Sequence, residues 1–88
     1  MSEEADVYQR LRERLQQQEW PDVFMFKFIV TPEKVEDVKS IFGPAEIKTR
    51  ESRNGNYVSV TGKEMIMDSE TVIDRYKEAA KIEGLIAL

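Results

Sequence analysis

The sequence predicts a single α+β domain of ferredoxin-like βαββαβ type, a two-layer sandwich in which helices cover one face of a four-stranded antiparallel sheet. Three observations predict it. The chain has 88 residues, which is room for one core. A nearly continuous apolar run at 23–30, and an Asn54-Gly55 turn between two further extended segments, read as strands. Two amphipathic stretches, opening at Thr31-Pro32 and at Asp68-Ser69, read as the connecting helices.

Taken in order, the segment from about Glu3 to Gln18 places Val7, Tyr8, Leu11 and Leu15 on one narrow helical stripe, with arginines and glutamines opposite. Such a stripe docks on its own domain or on a second copy of the chain. Trp20-Pro21 is expected to end this helix, because proline disfavours helical geometry in the residue before it. The chain thus divides into an N-terminal helical extension, 1–19, and a ferredoxin-like domain, 20–88.

Val23 to Val30 is a central strand, with Phe24, Phe26, Phe28 and Val30 on one side and Val23, Met25, Lys27 and Ile29 on the other. The phenylalanine side is the core side, since Lys27 interrupts its opposite. Thr31 caps the next helix with its hydroxyl, and Val35, Val38, Ile41 and Phe42 form its buried stripe up to Gly43-Pro44. Segments 47–53 and 56–66 form a hairpin around a type I′ turn at Asn54-Gly55. Gly62 marks a bulge or a close backbone approach. Asp68 or Ser69 caps the last helix, whose apolar face is Val72, Ile73, Tyr76 and Ala80, and Gly84 separates it from a short strand at 85–88. Right-handed crossovers then give strand order 4-1-3-2.

The composition excludes several chemistries. The chain has no cysteine and no histidine, so disulfides, thiolate nucleophiles and imidazole acid–base groups are absent. No serine sits in a Gly-x-Ser-x-Gly elbow, and the four glycines form no phosphate-binding loop. Glu33, Glu36 and Asp37, and the ridge of Glu70, Asp74 and Glu78, read as solvated helix faces. No catalytic, metal or cofactor site is expected. No apolar run approaches the roughly 20 residues of a membrane span, so no membrane partner is expected, and the acidic N-terminus favours the cytoplasm.

The formal net charge of −4 disfavours a phosphate-neutralising surface. Lys48, Arg50, Arg53 and Lys63 do cluster in the hairpin, against Glu46, Glu51 and Glu64, and Lys48 and Arg50 share a strand face. An RNA-reading sheet would need exposed aromatics beside them, and Tyr57 is the one fair candidate. The candidate interaction surface is instead the sheet face away from the helices. Val23, Met25 and Ile29 on the first strand, with Tyr57, Ser59 and Thr61 on the third, would make it partly apolar.

The run from Trp20 to Val30, the hairpin from Ser52 to Thr61 and the closing Tyr76 to Leu88 resemble the small bacterial YbeD-like proteins, a domain-of-unknown-function family. The most specific part is Ser52-x-x-Gly55-x-Tyr57-x-Ser59-Val60-Thr61, whose family-marking residues are Ser52, Gly55, Tyr57 and Ser59. The resemblance implies a ferredoxin-like domain similar to the ACT regulatory domains, which bind amino acids, and it brings no catalytic residue. The sequence therefore points to a non-enzymatic regulatory or protein-interaction module that meets a protein partner or itself. An ACT-like small-metabolite sensor is the alternative, and RNA binding ranks below both.

Overall fold

The computed structural model of the chain describes residues 3–43 and 45–88, so Pro44, where the second helix is expected to end, lies outside it. The elements run α1 (Glu3–Leu15), β1 (Asp22–Val30), a 3-10 turn (Pro32–Lys34) leading into α2 (Val35–Lys39), β2 (Ala45–Glu51), β3 (Val58–Ile66), α3 (Ser69–Ala80) and β4 (Ile86–Ala87). The strands form one antiparallel sheet in the order β2-β3-β1-β4, which is 4-1-3-2 when read from the opposite edge. The arrangement is a small α+β fold compatible with the ferredoxin-like type.

Strand β1 organises the core because its side chains alternate across the sheet. Phe26, Phe28 and Val30 are fully buried beneath the helices, while Val23, Met25 and Lys27 point outward and are exposed. Phe26 and Phe28 pack against Phe42 and Tyr76 with ring centroids 5.5 to 6.1 Å apart. Burial pushes the Tyr76 phenol pKa up. Pairing of β1 with β3 is unbroken from Asp22↔Ile66 to Val30↔Val58, which rules out a bulge at Gly62. Gly62 serves the close approach instead: a Cβ there would stand 2.8 Å from the Phe42 ring.

Glu64 is the one buried charged residue among the described residues, at 4 % exposure. It accepts hydrogen bonds from the Gly43 N–H at 2.9 Å and from Arg75 Nη2 at 2.7 Å and Nε at 3.1 Å. A buried carboxylate is tolerated only when its oxygens are satisfied in this way. Glu64 thereby ties β3 to α3 and to the turn before β2.

Several boundaries differ from the sequence reading. Helix α1 stops at Leu15, three residues before Gln18. Its ladder tightens to i→i+3 bonds at Gln17 and Gln18, and the Leu15 carbonyl also accepts from the Trp20 indole at 3.0 Å. The Thr31 hydroxyl does not cap the backbone but donates to Glu33 Oε1 at 2.8 Å, and the helix begins as a 3-10 turn. In α3, Ala79 is buried and Ala80 is exposed, because Ala79, seven residues after Val72, lies two turns along on the same side of the helix. Asp68 is the N-cap, accepting from the Thr71 N–H at 2.9 Å.

The hairpin is also rebuilt. Asn54 does not adopt the positive φ that a type I′ turn requires, whereas Gly55 does, at +72°. A longer loop from Ser52 to Tyr57 results, closed by Ser52 N–H to the Tyr57 carbonyl at 2.8 Å and Gly55 N–H to the Ser52 carbonyl at 2.9 Å. Strand β3 therefore begins at Val58, with Tyr57 just outside it.

Helix α1 lies against α3. Arg12 makes a forked contact with Glu70, Nε to Oε2 at 2.6 Å and Nη2 to Oε1 at 3.2 Å, and Lys77 sits 5.4 Å from the centre of the Tyr8 ring. The forked hydrogen bond raises the Arg12 pKa and holds the Glu70 carboxyl below its ordinary range. Leu15 enters the main core at 3 % exposure, with Tyr8 and Leu11 packed against it.

Candidate functional site

Because α1 docks on α3 at the helical layer, it does not cover the other sheet face, as it was free to do on sequence grounds. That face is the candidate site, and the strand register sets out its side chains in rows. Val23 faces Met65 at one end. Met25, Lys63 and Glu46 form the next row, then Lys27, Thr61 and Lys48, then Ile29, Ser59 and Arg50 with Ile86 beside Ile29. Tyr57 follows just past the start of β3, half exposed.

Five of the six residues expected to form the surface fall into two groups on this face. Val23 and Met25, exposed at 53 % and 59 %, make an apolar end together with Met65. Ile29, Ser59 and Tyr57 meet at the far end, where with Arg50, Glu51, Ser52 and Ile86 they line a shallow groove of about 450 Å³. Thr61 stands between the groups and belongs to neither.

The face is also basic, with Lys27 and Lys48 in its middle row, Lys63 in the Met25 row and Arg50 in the Ile29 row, a grouping the sequence reading had not assembled. Lys27 from β1, Lys63 from β3, and Lys48 and Arg50 from β2 lie on it with one carboxylate, Glu46. Among the described residues Lys48 pairs with Glu46 at 3.6 Å, while Lys27, Lys63 and Arg50 have no carboxylate within ion-pair distance. Of the acids expected to offset the hairpin cations, Glu64 is turned into the core on Arg75, and Glu51, opposite Val58 at the end of β2, reaches only the rim of the groove. Arg53 is at the exposed loop, outside the rows. The signal was present in the odd spacing of Lys27 and Lys63, which matches that of Met25 and Thr61. Only the cross-strand register shows that Lys48 and Arg50 join them.

Ser52, Gly55, Tyr57 and Ser59 have structural work in the hairpin. Ser52 Oγ accepts from the Tyr57 N–H at 3.1 Å, completing a reciprocal bond between the two ends of the loop. Gly55 supplies the left-handed turn conformation, and the Ser59 hydroxyl donates to the Arg50 carbonyl at 3.4 Å. Together they hold the Tyr57 end of the groove in place.

The acidic ridges remain surface features. Glu70 is engaged by Arg12 and Glu78 by Lys81, and Glu33 is held below its ordinary pKa by its own backbone N–H and by Thr31. Among the described residues no group of three or more acidic side chains is arranged to hold a metal ion. No described helix is long and apolar enough to cross a membrane. No protein-family model matches the chain, and neither a curated protein nor a solved structure was found to match it.

Proposed function

We propose that the chain is a non-enzymatic interaction module that binds a polypeptide partner on its open sheet face. The observation that carries this reading is the position of α1: it docks Tyr8, Leu11 and Leu15 on the helical side and leaves Val23, Met25 and Met65 exposed together on the sheet. Contiguous apolar side chains on a rigid sheet favour a partner that removes them from water. The missing imidazole and thiol groups support a binding rather than a catalytic role.

The YbeD-like assignment belongs to this proposal and rests on the Ser52 to Thr61 hairpin. The ACT-like alternative has less support. The loop after β1 is Thr31-Pro32, without the glycine such effector sites often use, and the groove at Tyr57 opens onto the whole face rather than enclosing a small molecule.

A photo-crosslinking amino acid placed at Met25 tests the reading in cells. A discrete adduct is expected from Met25 and not from exposed Glu78 on α3, whether the captured chain is another protein or a second copy. Equal labelling from both positions, or none from Met25, would overturn it.

A further inference from the structure

The charge on the open face identifies the chemistry of its partner. We propose that this face docks an acidic polypeptide segment with apolar residues at its two ends, an inference that rests on the interaction reading above. Four cations, Lys27, Lys48, Lys63 and Arg50, share the face with Glu46, and Glu51 stands at the rim of the groove, in a chain whose formal net charge is −4. The other nine lysines and arginines are outnumbered by acids over the rest of the molecule, whereas on this face cations predominate. A partner carrying negative charge is attracted there and repelled elsewhere, which fixes where it lands.

Apolar groups stand at both ends of the face beside that charge. Val23, Met25 and Met65 lie at one end, with Lys63 in the Met25 row, and Ile29, Ile86 and Tyr57 at the other, with Arg50 in the Ile29 row. From the Val23 row to the Ile29 row is about 20 Å at the usual rise of a strand. An extended segment of six or so residues spans that distance, its ends on the two apolar patches and its carboxylates over the lysines.

Charge argues against a second copy of the chain as the partner, because two copies meeting through this face would set their cations against one another. Single-stranded RNA is the other polyanion to weigh. It would use aromatic faces for base stacking, and the phenylalanines of β1 are turned into the core, leaving Tyr57 as the lone aromatic on the face.

Panning a random-peptide phage library on the immobilised protein tests the inference. Enriched sequences are expected to carry aspartates or glutamates between apolar residues. The corresponding labelled peptide should shift the amide resonances of Met25, Ser59 and Thr61. The paired substitution Lys48→Glu with Arg50→Glu, on exposed edge-strand positions, should weaken it about tenfold or more. The milder Lys48→Ala with Arg50→Ala should weaken it less, at unchanged unfolding midpoint. Added salt should weaken binding to the original protein. Enrichment of neutral peptides that still map to the face overturns the acidic partner and leaves the interaction reading standing. Peptides that map elsewhere, no enrichment, or tight binding of an oligouridylate in place of peptides overturns the inference, and the Met25 crosslink then decides the interaction reading separately.

Discussion

Gly62 and Phe42 show how a single atom position constrains this core. The Phe42 ring lies directly over the β3 backbone, and a methyl group at Gly62 would meet three of its carbons at 2.8 to 3.0 Å. Phe42 is itself buried against Phe26 and Phe28, so the ring has little room to step aside. Gly62→Ala should therefore lower stability by about 1–3 kcal/mol, the usual cost of overpacking. Urea unfolding should show a lower midpoint at unchanged m-value, and Phe42→Leu in the same chain should cost less than it does alone. An unchanged midpoint for Gly62→Ala would show that the ring moves freely. A glycine inside a strand is legible from sequence as a close approach, but its partner across the core is not. The same holds for Glu64, whose alternation with Lys63 and Met65 puts it on the core side, while its partner Arg75 lies on another element.

At the scale of elements, local chemistry settles the ends and tertiary contacts settle the lengths. Helix α3 begins where Asp68 offers its carboxylate to the Thr71 N–H, which settles between the two caps, Asp68 and Ser69, that the sequence allows. That bond, with the Thr71 hydroxyl second, holds the Asp68 carboxyl below its ordinary pKa. A folded pKa below the unfolded one means that ionised Asp68 adds stability at pH values above the unfolded pKa. The contribution is lost as pH falls through the folded value. Asparagine caps comparably without titrating, so Asp68→Asn should make the acid loss of stability shallower in urea titrations run from neutral pH downward. Parallel curves for the two proteins would contradict this. Helix α2 and strand β4 came out shorter than their apolar patterns suggested. The 3-10 turn takes up the first turn of the former, and β4 pairs only opposite Phe28 and Ile29, with one further bond from the Leu88 N–H to the Lys27 carbonyl.

For the whole molecule, the decisive contact is that of α1 with α3. Leu15 is buried in the same core as Phe26 and Phe28, which makes α1 part of the cooperative unit. Leu15→Ala should cost about 2–5 kcal/mol, the range for deleting a buried leucine side chain. Domains of this size have only about 5–15 kcal/mol in total, so the loss should be plain in thermal unfolding. Hydrogen exchange should also show the α1 amides opening with the sheet in the original protein. Release of α1 without any fall in the sheet's unfolding midpoint would show that the helix is an appendage.

The sequence by itself determined the element types, the buried side of β1 and the presence of a turn at Gly55, and it narrowed the cap of α3 to Asp68 or Ser69. Each follows from interactions among residues a few positions apart: side-chain alternation, helical spacing, and the φ values that glycine allows. Tertiary structure alone decided where α1 docks, that Glu64 is withdrawn onto Arg75, and that cations from three strands converge on one bare face. Those outcomes depend on cross-strand register and on competition between apolar surfaces for the same core, which no local pattern encodes.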